Sequence, residues 1–230
     1  MKVNKKVAKF NIAYDSYFTL INSYALPNCK ILEIGGGAHP SISERNDLKY
    51  HVVDPDHKEL SKLPSDIIKI EGSVQDLPLD EKYDLIISKM VLEHVPNPDE
   101  FHKKVFQLLA TNGRAVHFFA CRHSLPAFVN RFLPERVGES LLRILKNRPL
   151  DDSPKYEAYY RRTLGHTKGQ LDYFKKMGYA VEIYHSFVGH KYFKNIPLIN
   201  LLEKAYTSIL SKMECKRLST VALVVLKNNK

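Results

Sequence analysis

Apolar residues along this chain gather in short dense runs separated by polar and turn-rich stretches. Seven runs rich in β-branched residues read as strands: Lys30–Gly35, Tyr50–Asp54, Ile67–Glu71, Tyr83–Ser88, Ala115–Ala120, Ala180–Phe187 and Thr220–Lys227. Their near-continuous hydrophobicity suits strands covered on both faces, as in a parallel sheet flanked by helices. Between them, Pro98–Ala110 places Phe101, Val105, Phe106, Leu108 and Leu109 at helical spacing and stops at Thr111-Asn112-Gly113. Lys168–Met177 repeats the pattern with Leu171, Phe174 and Met177, closed by Gly178. The alternation predicts an α/β domain.

Two stretches exceed what such a sheet needs. Residues 122–165 form a long insert after the fifth strand, interrupted by Pro126, Pro134, Pro149 and Pro154, with an amphipathic middle over 128–145. Residues 190–215 add a helix, in which Leu198, Leu201, Leu202, Ala205, Tyr206, Ile209 and Leu210 fall at helical spacing. The length of 230 residues suits a single domain, 1–230, carrying both as elaborations. No internal repeat is visible.

Composition narrows the class. The longest clean apolar run, Val221 to Leu226, is far short of a membrane span of roughly 20 residues. The lysines near the N-terminus are followed by a stretch broken by Asn11, Asp15, Ser16, Asn22 and Ser23, which is no secretory signal, so a cytoplasmic chain is expected. Cys29, Cys121 and Cys215 are scattered, giving neither a disulfide framework nor a metal signature. Charge is unevenly placed: residues 1–110 hold 14 Lys and Arg against 16 Asp and Glu, and residues 111–230 hold 21 against 9. Either the second half meets an anionic partner or it is a solvated basic surface.

The densest chemistry follows the first strand. Glu33-Ile34-Gly35-Gly36-Gly37 ends an apolar strand in a glycine loop, where the backbone turns sharply and a ligand can approach closely. The next strand ends in Val52-Val53-Asp54-Pro55, placing a carboxylate where a nucleoside ribose offers its hydroxyls. A dinucleotide site pairs the same features, but its G-x-G-x-x-G fingerprint requires glycine at position 40, where this chain has Pro40. Two later segments complete the series: Glu71-Gly72-Ser73-Val74-Gln75-Asp76-Leu77-Pro78, and Tyr83–Ser88 followed by Val91-Leu92-Glu93-His94-Val95-Pro96-Asn97-Pro98.

These four segments, in this order over roughly residues 28 to 120, resemble those of class I methyltransferases that use S-adenosylmethionine (SAM), especially the type 11 and type 12 group. The resemblance implies a Rossmann-like three-layer sandwich with a seven-stranded, mostly parallel sheet whose last strand is antiparallel. It assigns cofactor contacts to Glu33, Gly35, Gly36 and Gly37, to Asp54 and Pro55, to Ser73 and Val74, and to Ser88. Ser73 stands where the family commonly has Asp, which puts the contact to the adenine amino group in doubt. His94 falls near the family's methyl-transfer centre, where an imidazole either serves as general base or orients the loop.

The acceptor is expected under the insert, helical over 122–165, and the added helix. Tyr156, Tyr160, Arg161 and His166 are the candidate acceptor contacts: tyrosines pack on sugar or aromatic rings, and arginines pair with carboxylate or phosphate. The expected reaction is methylation, on oxygen, of a small-molecule, sugar-linked or glycolipid acceptor, with no metal. Two alternatives stand beside it: an RNA methyltransferase, disfavoured by dispersed basic residues and the lack of an N-P-P-Y type loop, and a SAM-binding protein without catalysis. The 128–145 segment suits either a peripheral contact with an anionic membrane or a lid packed on its own protein.

Overall fold

A computed structural model describes residues 7–42, 45, 47–124, 127–128, 156–190 and 197–229. Eight strands form one sheet: β1 (Ala8–Lys9), β2 (Lys30–Ile34), β3 (Lys49–Asp54), β4 (Ile68–Glu71), β5 (Tyr83–Lys89), β6 (Leu109–Ala120), β7 (Ala180–Val188) and β8 (Val221–Lys227). Their spatial order is β1-β7-β8-β6-β5-β2-β3-β4. Pairing is parallel throughout except for β8, which is antiparallel to both β6 and β7. The seven expected strands are all present. The eighth is the two-residue β1, which adds to the edge at β7 with Ala8 opposite Phe187.

Side-chain parity along each strand builds the two outer layers. Leu32 and Ile34, Ile86, Ala115 and Phe119, and Val224 and Leu226 face one side. There they meet Phe101, Val105 and Leu108 of helix α3 (Pro98–Leu108) and Phe174 of α4 (Lys168–Lys176). Ile31, Val52, Leu85 and Ile87, Val116 and Phe118, and Leu223 and Val225 face the other. They pack on Ala13, Tyr17 and Ile21, one face of α1 (Ala13–Tyr24). The result is an α/β/α sandwich whose central strands are covered on both sides.

Boundaries shift where tertiary pairing competes with local pattern. The α3 helix stops at Leu108 rather than Ala110, because β6 begins at Leu109, which pairs with Tyr83 before a register shift. The short α2 (His57–Ser61) starts on Asp56, whose carboxylate accepts from the amides of Lys58 and Glu59. Helix α5 (Pro197–Lys212) lies within the expected 190–215, yet most of its apolar stripe faces solvent: Leu198, Leu201 and Leu202 are each more than 60% exposed. Its buried side includes Glu203, whose carboxylate accepts from the His190 amide at 2.8 Å. Most of the 122–165 insert, including 129–145, lies outside the described residues. Among those described, no helix is long and apolar enough to cross a membrane.

Candidate active site

The chain runs outward from β2 to β3 and β4, then returns to place β5 on the other side of β2. In an open parallel sheet, such a reversal leaves a crevice at the carboxyl ends of the strands, and ligands bind there. The Gly35–Gly37 loop leaves β2 on one wall, and the Met90–His94 segment leaves β5 on the other. They touch: a Cβ on Gly35 would lie 2.5 Å from Val91 Cγ2, while on the β3 side one on Gly36 would lie 2.9 Å from Val52 Cγ1. Gly35 (φ +70°) and Gly37 (φ +50°) are left-handed, a region that penalises side chains.

Two carboxylates shape the loop from within. The Glu33 side chain is buried on the α1 side of the sheet, where it accepts from the Ser41 amide at 2.9 Å and from the hydroxyls of Ser41 and Tyr50. Burial pushes its carboxyl above the ordinary range, and those donors pull it back. At the end of β3, Asp54 accepts from the Gly37 amide (3.0 Å) on one oxygen and from the Asp56 amide (2.9 Å) on the other. Asp54 thereby fastens the glycine loop to the neighbouring strand. Burial raises its carboxyl too, opposed by the two amides.

The opposite wall is held by residues that follow the insert. The amides of Tyr159 and Tyr160 both donate to the Glu93 carbonyl, at 2.8 and 2.9 Å. Arg161 Nη1 donates to the Pro96 carbonyl at 2.7 Å. His94 Nδ1 lies 2.9 Å from the carbonyl of Glu157. Because a carbonyl only accepts, Nδ1 carries the hydrogen, and the neutral ring keeps its lone pair on Nε2. The Tyr156 ring lies 6.2 Å from that of His94, edge to face. Burial and the charges of Asp54, Asp56 and Glu59 raise its phenol.

Three non-glycine residues of this rim, Met90 (φ 58°), Tyr160 (φ 49°) and Arg162 (φ 55°), are left-handed. Conformations that cost about 1–3 kcal/mol each persist only where surrounding bonds fix them, and they concentrate at functional sites. Comparison with known proteins agrees with the geometry. The family described as a methyltransferase domain matches residues 14–136, more than half of the chain. The chain belongs to the class I SAM-dependent methyltransferases.

Solved structures give the same fold at low identity. The N-methyltransferase NodS from Bradyrhizobium japonicum is 13% identical (TM-score 0.56), and the alignment covers 96% of this chain and 99% of that one. Phosphoethanolamine N-methyltransferase 2 from Haemonchus contortus, in complex with SAM, is 13% identical (TM-score 0.56), covering 94% of this chain and 53% of that one. A SAM-dependent methyltransferase from Mesorhizobium loti is 15% identical (TM-score 0.53), covering 94% and 98%. Among curated proteins, none matches the sequence.

In this methyltransferase the crevice fits SAM, a cofactor without phosphates: it offers a side-chain-free glycine loop and a carboxylate with further lone pairs, and no phosphate-binding fingerprint. Gly35, Gly36 and Gly37 would present backbone to it, and Asp54 sits with Pro55 at the end of β3. Ser73 is exposed at the end of β4, where it caps a turn over Val74–Asp76. Its hydroxyl accepts from the Gln75 amide, while Asp76 turns back to the Ser73 amide at 3.3 Å. The Val74 side chain is buried in the core, so only its backbone faces outward. Ser88 is a correction. Strand parity turns it to the α3 side, where its fully buried hydroxyl meets His117 Nδ1 at 2.8 Å, away from the crevice.

The four candidate acceptor residues do not converge. Tyr156 packs edge to face on His94. Tyr160 is buried, with its amide on Glu93. His166 stacks on Tyr184 of β7, ring centres 5.1 Å apart, while its amide donates to Ser186. Arg161 instead joins Arg122 and Arg162 around an open cavity of about 580 Å³, beside Pro96–Asp99. Sequence reasoning had not placed Arg122 in the site. Its signal is its position: it lies just past the carboxyl end of β6, the edge where such sheets carry their sites.

Proposed function

We propose that this methyltransferase moves the methyl group of SAM to a hydroxyl oxygen of a small, anionic, sugar- or lipid-linked acceptor, with His94 as general base. The observation that carries the reading is the 2.9 Å contact between His94 Nδ1 and the Glu157 carbonyl. It fixes the tautomer, so Nε2 is ready to accept a proton. Methyl transfer is an in-line displacement in which bound SAM supplies an electrophilic carbon on a sulfonium. The protein must hold the acceptor in line and take its proton. Bound SAM would supply the methyl group and leave as the neutral thioether, and His94 Nε2 would take the proton of the acceptor hydroxyl. Tyr156, edge to face with the His94 ring, stands beside the base.

The test is His94→Gln in the full chain, with methyl transfer from labelled SAM into fractionated cell extract. A general base contributes roughly 10²–10⁴-fold, so kcat should fall by that order with the affinity for SAM unchanged. An unaltered kcat removes the base. A second reading, transfer to an amine, is favoured by two of the structural neighbours, which are N-methyltransferases. A ¹³C-methyl label separates the two, because carbon shifts of O-methyl and N-methyl products differ.

A further inference from the structure

We propose that Arg122, Arg161 and Arg162 form a subsite that grips a phosphate group of the acceptor. The inference rests on the reading of methyl transfer beside His94 and adds a chemical class to its substrate. All three arginines line the cavity of about 580 Å³, together with one acidic residue, Asp99. Among the described residues, none of the three arginines forms an ion pair. Three cations against one carboxylate leave an excess of positive charge at the cavity, and a bound anion relieves it.

The backbone is built to bring them together. Consecutive residues of an extended chain point to opposite sides, so Arg161 and Arg162 in a strand would not line one cavity. Here Tyr160 and Arg162 are left-handed, and the turn carries both arginines to the same side. Bonds on either flank hold the turn. The Arg122 amide donates to the Thr163 carbonyl at 2.7 Å, joining the end of β6 to this segment. The carbonyl of Arg162 accepts at 2.7 Å from the amide group of Gln170, which is 1% exposed.

The side chains are also held. The Arg162 guanidinium lies over the Tyr173 ring at 4.9 Å, and that of Arg161 lies over Tyr159 at 5.7 Å. Arg161 spends one donor on the Pro96 carbonyl, two residues beyond His94, so the subsite adjoins the proposed base. Stacking fixes the guanidinium planes and leaves edge N–H groups to donate. One bidentate arginine already matches a carboxylate. Three match the greater charge and additional oxygens of a phosphate. This is a use for part of the excess positive charge of residues 111–230.

The experiment titrates the full chain with inorganic phosphate and with glycerol 3-phosphate, followed by ³¹P line broadening, with and without SAM. A parallel arm sediments the chain with phosphatidylcholine vesicles carrying phosphatidic acid. Arg122→Gln and Arg162→Gln should each weaken phosphate binding about tenfold or more, with Arg162→Lys in between, while SAM affinity stays at the wild-type value and shows the fold intact. Capture by vesicles that soluble phosphate competes away puts the same phosphate on a lipid headgroup. The subsite is overturned if the wild-type chain binds phosphate in neither form, or if binding is indifferent to both substitutions. Absence of SAM binding by the wild-type chain would instead strike the methyl-transfer reading, since the phosphate titration is read on its own.

Discussion

Gly35→Ala tests whether the two walls of the crevice meet as described. The new Cβ would stand 2.5 Å from Val91 Cγ2 and 3.7 Å from Val91 Cβ, at a position with φ +70°. A left-handed residue with a side chain costs about 1–2 kcal/mol. Relieving an overlap in a packed region costs about 1–3 kcal/mol more. The loop therefore loses roughly 2–5 kcal/mol, a large share of the 5–15 kcal/mol typical of a folded domain. Val91→Ala removes the clashing methyl at a cost of its own of about 1 kcal/mol, and it leaves the backbone penalty in place. In Gly35→Ala/Val91→Ala, the overlap portion alone should return. Urea unfolding and SAM calorimetry on the four chains give the coupling. It should amount to about 1–3 kcal/mol in the direction of rescue, with SAM affinity at least tenfold weaker in Gly35→Ala and partly restored in the double variant. Effects that simply add, within about 0.5 kcal/mol, would mean that the β2 and β5 loops do not touch across the crevice.

Other outcomes follow from the same contacts. Asp54→Ala removes the acceptor of the Gly37 and Asp56 amides, so SAM affinity should fall by about tenfold or more; an unchanged calorimetric Kd would dismiss the ribose assignment. Gly165→Ala would drive a Cβ to 2.0 Å from the Lys216 carbonyl oxygen, so the unfolding midpoint should drop, and a wild-type midpoint would show that this backbone approach is not as close as described. Stability should also fall with pH. Burial pushes His102 down to about 3 and lowers His117 well below its ordinary value, with His102 as the second cause, so below about 6.5 the unfolded chain takes protons that the folded chain refuses. Glu93, raised by burial to about 7, acts in the opposite sense between about 4.5 and 7, when the folded chain holds the extra proton. Two histidines outweigh one carboxyl, leaving a net loss of roughly 2 kcal/mol from these three groups between pH 6.5 and 5. Urea midpoints over that range check it, and His102→Leu should flatten the slope.

Much of the architecture is legible in the chain because it is written in local pattern. The seven strand runs are dense and apolar, since a strand buried on both faces needs no polar alternation. The helices at Pro98–Leu108 and Lys168–Lys176 carry their stripe and their caps in sequence. The N-terminal helix Ala13–Tyr24 was less visible. It buries only Ala13, Tyr17 and Ile21 among polar neighbours, a thin stripe that means little until the sheet covers it. The two-residue β1 has no local signal, because only its pairing with Phe187 and Val188 makes it a strand.

The sequence by itself determined the cofactor half, because glycine spacing, the Asp54 carboxylate and strand order act within one continuous stretch of chain. Tertiary structure decided which of the named residues face the crevice. Strand parity sent Ser88 to His117 in the core, and packing on β7 carried His166 to Tyr184. It also brought together Arg122 and Arg161–Arg162, about forty residues apart, through the Arg122–Thr163 bond and two left-handed turns. No periodicity encodes that meeting. The distance between such residues is set by how the end of β6 and the segment after the insert are held against each other, and composition registers only the excess of positive charge.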